Sequence, residues 1–405
     1  MADLIIRKAR AFGYEGLVDI AVKDGKIVGI AEQVQDKGRQ EIAAEGRFVS
    51  PGLVDAHAHL DKALIFDRKT GNAEMDRRVT LKDMIMATRQ LKREMTPEDV
   101  KERALELIKL SVAHGITTIR TYVEADPFIE LRAAEGILMA KEEARDLVDL
   151  QTIAFAQEGW FTTPGTIESG DEKYLREALE MGIDLIGGNV NKTVWPSSPE
   201  AQIDRLFAIA REFDCDIDMH LDNADSAEAF SLPYVIDKTL ENDYQGRVSA
   251  GHVVGIAHVE EKTRKQTIKG VKEAGITIAV LPSRMRLTCV REFMEGGVNI
   301  SIGTDNYRDK FVYFGNPSLV ERMLLLARII DTQDDEELAE IYKMGTYNAA
   351  RALRLADYGL DVGKRADLVV FDAYNLYDTV MQLPKCAYVI KNGRVVVEAG
   401  VLKEM

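Results

Sequence analysis

Six histidines occur in this 405-residue chain: His57, His59, His114, His220, His252 and His258. That scarcity narrows where imidazole chemistry can arise. His57 and His59 stand at i and i+2, and such side chains fall on one face of an extended strand. Two imidazoles on one face can grip one divalent ion. His220 lies in DIDMHLDN, His252 in RVSAGHV and Asp305 in GTDNYRDKF, each closing a run that reads as a strand. A lone H-x-H pair is as readily a satisfied core pair, but four such groups at strand ends are hard to explain that way. His57, His59, His220 and Asp305 make an N3O set that suits Zn2+ and also Fe2+ or Mn2+. One divalent ion per chain is expected, Zn2+ in first place. It lowers the pKa of a water in its open position from about 16 towards about 7 and supplies hydroxide at neutral pH. Asp305 is expected to touch the ion and also accept the attacking water's proton. His252 is expected to hydrogen-bond that water or the developing charge. His114, near a helix end, and His258, in the stretch 256–260, read as structural.

Eight candidate strands alternate with helical segments: 48–56, 117–123, 150–156, 185–189, 216–221, 247–253, 277–281 and 299–305. This α/β beat predicts parallel strands with crossover helices, and eight units favour a (β/α)8 TIM barrel over an open sheet. No G-x-G-x-x-G follows the first strand, against a dinucleotide-binding sheet. In a barrel, chemistry gathers at the C-terminal ends of the strands, where all these groups lie. Between the first two strands, Thr96 can cap a helix with Pro97 at its first position, and Gly115 can end it. Short apolar runs at 4–7, 18–22 and 26–30 match others at 366–371, 387–390 and 394–397. Asp24-Gly25 and Asn392-Gly393 are hairpin signals. Residues 1–50 and 360–405 are therefore expected to form a small β-sandwich domain, and 51–359 the barrel.

The formal net charge is −15. No basic stripe is present to neutralise phosphates, so nucleic acid is not an expected partner. The three cysteines, Cys215, Cys289 and Cys386, match no disulfide or C-x-x-C pattern. No run approaches the roughly 18 apolar residues of a membrane span, and MADLIIRKARAF does not read as a signal peptide. A cytoplasmic, soluble homo-oligomer with no membrane partner is expected.

VSPGLVDAHAHLDK (49–62), LQTIAFAQEGW (150–160), DIDMHLDN (216–223), RVSAGHV (247–253), GTDNYRDKF (303–311) and DYGLDVGKRADLVVFD (357–372) carry a resemblance. Over essentially its whole length the chain resembles the cytosine deaminase group of the amidohydrolase superfamily. HLDK, AFAQ and TDNYRD resemble its triazine-degrading isopropylaminohydrolase branch. The resemblance implies hydrolytic attack on an amidine-like ring carbon, with loss of ammonia or an amine. It implies the ligand set given above, with His252 assisting. It implies that Gln157 hydrogen-bonds a ring carbonyl or nitrogen, that Phe311 closes the pocket, and that Lys62 serves proton transfer or substrate binding. Two positions depart from the pattern. The group's acidic proton shuttle, three after the strand histidine, is Asn223 here, and an amide does not titrate. The branch's second histidine, two after the first, is Asp222. Lys62 and Asp222 remain as candidates for proton delivery. Gln157, Asn189, Trp195, Asn223 and Phe311 are the candidate pocket wall. The superfamily's metal-bridging lysine would end strand 4, but Lys192 lies beyond Asn189, which favours one metal.

The function expected is therefore hydrolysis of a non-peptide C–N bond in a small nitrogen heterocycle such as a pyrimidine, triazine or cyclic amidine. An amide hydrolase acting on a cyclic or N-acyl substrate is the first alternative. A non-catalytic metal scaffold is the second.

Overall fold

The computed structural model describes residues 1–71, 80–157, 170–192, 199–282 and 287–403. Five strands come first: β1 (Ala2–Ala11), β2 (Val18–Lys23), β3 (Lys26–Ala31), β4 (Gly38–Ala43) and β5 (Phe48–Pro51). Eight more follow: β6 (Leu53–Ala58), β7 (Ile116–Glu124), β8 (Asp149–Ala156), β9 (Leu185–Val190), β10 (Ile217–Leu221), β11 (Val248–His252), β12 (Thr277–Val280) and β13 (Ile300–Ile302). The chain ends with β14 (Leu368–Phe371), β15 (Cys386–Lys391), β16 (Arg394–Glu398) and β17 (Val401–Leu402).

Strands β6 to β13 pair in chain order, each parallel to the next. The seam between β13 and β6 is joined where Asp305 N–H donates to His57 C=O at 2.8 Å. This is the expected (β/α)8 barrel. Its strands are covered on both faces, so β6, β7, β9 and β10 are buried throughout. The helix α1 (Leu81–Lys92) follows β6, and α2 (Pro97–Ala113) precedes β7. Thr96 caps α2 as expected, its hydroxyl accepting from Asp99 N–H at 3.2 Å. Gly115, just past the helix end, has φ +90°.

The remaining strands form one hydrogen-bonded network in the order β17-β16-β15-β14-β5-β1-β2-β3, with β4 on β1. Leu4, Ile6, Ile20 and Val22 from one end of the chain share a buried core with Leu368, Val370 and Ile390 from the other. The expected hairpins are present, with Asp24, Gly25, Asn392 and Gly393 all at positive φ. Strand β4 was not expected, because GRQEIA is mostly exposed and shows no apolar alternation.

Two expected barrel strands differ from the observed ones by more than a residue at an end. The run 48–56 is two strands, because β5 pairs with β1 and β14 while β6 pairs with β7. The chain crosses between them at Pro51, which has no N–H to donate, and at Gly52. There an added Cβ would stand 2.1 Å from Thr117 Oγ1. The run 299–305 stops at Ile302, and Asp305 turns out of the strand with φ +62°. Among the described residues, no helix is long and apolar enough to cross a membrane.

Candidate metal centre and active-site cavity

His57 is the buried centre of the constellation. It lies on β6, and two glycines make room for it, Gly251 on β11 and Gly303 just past β13. A Cβ at Gly251 would sit 2.6 Å from His57 Cε1, and one at Gly303 would sit 2.5 Å from His57 O. Buried Asp55 fixes the turn after β13, accepting from Thr304 N–H at 3.1 Å and Thr304 Oγ1 at 2.5 Å. Burial pushes the Asp55 carboxyl up to about 6, against those hydrogen bonds.

The ring orientation of His57 follows from a relay of hydrogen bonds. Tyr122 donates its hydroxyl proton to Asp218 Oδ1 at 2.6 Å, and Arg120 holds the other oxygen at 2.7 Å. Tyr122 Oη lies 3.0 Å from His57 Nδ1. With its own proton given to Asp218, it must accept there, so Nδ1 carries the hydrogen and Nε2 keeps its lone pair. A carboxylate or hydroxyl behind a histidine in this way fixes the tautomer a metal needs.

The other groups converge on that nitrogen. Donor atoms of His57, His59 and Asp305 lie within 4.8 Å of one another, as do those of His57, His220 and His252. His59 Nε2 is 3.5 Å from Asp305 Oδ1, and His57 Nε2 is 3.8 Å from the same oxygen. The rings of His57 and His220 stack with centroids 4.6 Å apart. Burial, followed by neighbouring positive charge, drives the pKa of His57, His59 and His220 well below the ordinary imidazole value. They are therefore neutral, the state in which imidazole binds a metal. His57 Nε2, both nitrogens of His59 and His220 Nε2 are buried with no hydrogen-bond partner among the described residues. Buried polar atoms are rarely left so, and three imidazoles sharing one deficit fit a divalent cation. Asp305 and His252, at φ +62° and +72°, occupy left-handed backbone that costs about 1–3 kcal/mol each. Such strain gathers at functional sites.

A cavity opens over this cluster, with His59, His220, His252 and Asp305 in its lining. Gln157, Asn189, Asn223 and Phe311 also line it, as the sequence suggested. Trp195 lies outside the described residues. Two other candidates are not in its wall. Lys62 is buried behind Gln157 and Phe311, 2.8 Å from Gln157 Oε1 and 4.8 Å from the Phe311 ring centre. Asp222 corrects the expectation of a proton donor. It is buried and turned to the start of the helix Leu232–Glu241, where it accepts from Ser231 N–H at 2.9 Å and Leu232 N–H at 3.1 Å. Burial pushes its carboxyl up to about 7, but it caps a helix and does not meet the cavity. His258 stands outside the cluster, 3.7 Å from Asp225, and Lys192 is exposed.

A family pattern for amidohydrolases matches residues 48–396. The chain belongs to the amidohydrolase family. It is a hydrolase of carbon–nitrogen bonds, from a metal-dependent family. This amidohydrolase is 33% identical over 402 residues to N-isopropylammelide isopropyl amidohydrolase of Pseudomonas sp. (strain ADP), covering 99% of this chain and 98% of the relative. Among solved structures it is similar to N-isopropylammelide isopropylaminohydrolase from Burkholderia multivorans, with a TM-score of 0.88, 28% identity and full coverage of both chains. It is also similar to 5-methylcytosine deaminase from Klebsiella pneumoniae liganded with 5-fluorocytosine, with a TM-score of 0.88, 27% identity and 99% coverage of both.

Sequence reasoning missed the groups around the cluster in this amidohydrolase: Tyr122, Asp218, Arg120, Asp55 and Glu124. All five are polar residues of strands that are buried along their whole length, with Glu124 at the end of β7 and the others inside β6, β7 and β10. A buried charge in a barrel strand was the available signal, since such groups persist only when paired. Leu81, Leu281, Asn306 and Val312 in the cavity lining were also missed.

Proposed function

We propose that this amidohydrolase releases ammonia or an amine from a small nitrogen heterocycle of the pyrimidine or triazine kind. One divalent ion, Zn2+ in first place, is held by His57, His59, His220 and Asp305. The observation that carries this reading is the make-up of the cavity. Beside the imidazole cluster it presents the amides of Gln157, Asn189, Asn223 and Asn306, with no Arg or Lys in the wall among the described residues. Amides both donate and accept, which suits ring nitrogens and carbonyls. Phe311, Leu81, Leu281 and Val312 add the apolar surface a flat ring needs. The relatives named above, one for N-isopropylammelide and one for 5-methylcytosine, support the same substrate class.

When bound, the ion supplies hydroxide at neutral pH. Asp305 accepts the proton of the attacking water, and His252 hydrogen-bonds the oxygen that gains charge. The amide wall orients the ring so that the leaving nitrogen faces the imidazole cluster.

The test is metal content of the purified protein together with product analysis on aminopyrimidines, aminotriazines and cyclic amides. About one metal per chain with ammonia or amine release is expected. Release of a carboxylic acid instead would move the protein to the amide hydrolases, and a preparation that is active without metal would overturn the ligand assignment.

A further inference from the structure

Glu124 ends β7 and is fully buried, and it is not in the lining of the cavity. Two buried lysines share its carboxylate. Lys62 Nζ lies 2.7 Å from Oε1, and Lys92 Nζ lies 2.6 Å from Oε2. Lys92 also pairs with buried Asp126. Burial alone would raise the Glu124 carboxyl; the two ammonium groups outweigh it and hold it below the ordinary range. Such a group is ionised and fixed in place, and removing one member strands the others.

Lys62 passes this order on to the cavity. Its ammonium group has only donors, so the atom of Gln157 that faces it at 2.8 Å is the carbonyl oxygen Oε1. The Gln157 amide cannot turn over without setting N–H against N–H. Its Nε2 is therefore the polar atom left for the cavity that Gln157 lines. Asn189, on the adjacent strand, is set the other way. Its Nδ2 donates to Gln157 C=O at 3.0 Å, leaving Oδ1 as an acceptor. Lys92 ends α1, whose first residue, Leu81, lines the same cavity. One carboxylate thus ties the polarity of the amide wall to the seating of the helix beside it.

We infer that Glu124 is a positioning residue which, through Lys62, fixes Gln157 as a hydrogen-bond donor beside the Asn189 acceptor, so that the wall selects a heterocycle edge with a ring carbonyl next to a ring N–H. This rests on the heterocycle reading above and names the edge that is recognised. Lys62 then acts through Gln157 and moves no proton. A heterocycle whose matching edge is donor-only, or lacks the carbonyl, leaves the Gln157 donor unpaired and is rejected.

A double-mutant cycle tests the linkage. Glu124→Gln, Gln157→Ala and the double variant are loaded with zinc, checked for metal content and thermal midpoint, and assayed on cytosine and on ammelide with kcat and KM separated. Each single change is expected to raise KM by about tenfold or more, because a hydrogen bond from a fixed donor is lost. The double variant is expected to be no worse than Gln157→Ala alone. Additive effects, or a loss confined to kcat, would overturn the proposal. A crystal structure of Glu124→Gln needs no substrate and separates this inference from the functional reading. The Lys62–Gln157 contact is expected to open, and its persistence would overturn the positioning role whatever the protein hydrolyses. If Glu124→Gln fails to fold, Lys62→Met takes its place in the cycle, and its crystal structure is expected to show the Gln157 amide displaced; an unmoved amide would overturn the role. A parent that binds zinc but releases nothing from either heterocycle would overturn the functional reading and leave the structural result to decide this one.

Discussion

Tyr122 Oη stands 3.0 Å from His57 Nδ1 and gives its own proton to Asp218. The pair links the most buried imidazole of the cluster to a carboxylate that does not reach the cavity. Tyr122→Phe keeps the ring and removes only the acceptor, so His57 loses the partner that fixes its tautomer. Zinc affinity is expected to fall about 10- to 100-fold, as for other second partners of metal-bound histidine. Competition with a chromogenic chelator measures it. Unchanged affinity would show that packing alone holds the ring.

The glycine at 303 is a steric test of the same imidazole. A methyl group there would stand 2.6 Å from His57 Cβ and 2.5 Å from its carbonyl oxygen, and neither atom can swing aside. Gly303→Ala is expected to displace His57 and to cost about 1–3 kcal/mol through overpacking. Metal content and a denaturant midpoint together check it. A variant with normal metal content and an unshifted midpoint would mean that the barrel yields there.

Asn223 lines the cavity but cannot carry a proton. Asn223→Glu restores an acid three residues after His220. Ammonia release from cytosine is expected to appear or to rise at least tenfold, within the range that general acid–base groups supply. Ammonia detection with the two proteins side by side decides it. An unchanged rate would remove position 223 from the account of specificity.

His114 gives a pH signature away from the cavity. Burial lowers its pKa below the ordinary 6.5, with Glu321 opposing. The unfolded chain therefore binds a proton that the folded chain refuses. Stability from this group is present above about pH 6.5 and is lost as pH falls from there through the folded pKa. The helix end beside it, which favours positive charge, is outweighed by desolvation. His114→Gln is expected to flatten that part of the stability–pH curve in urea titrations. A curve of unchanged slope would assign the dependence to another group.

Much of this protein was legible without coordinates. The β/α beat predicted the barrel, and residue type at strand ends picked out His57, His59, His220, His252 and Asp305 because strand direction brings every C-terminal end to one rim. Gln157, Asn189, Asn223 and Phe311 followed from the same rule and from resemblance. Periodicity is a local property, so it could not show that 48–56 crosses from one sheet to another at Pro51 and Gly52. Nor could it show what Asp222 meets, which is the helix start nine residues on that draws its carboxylate away. The hydrogen bonds from Tyr122 to Asp218 and from Lys62 to Gln157 join positions 96 and 95 residues apart. The sequence determined which imidazole and carboxylate groups stand at the barrel rim and the strands that carry them. Only the closed barrel decided which buried polar groups meet, because those partners are set by packing across the barrel and leave no mark on the neighbours of either residue in the chain.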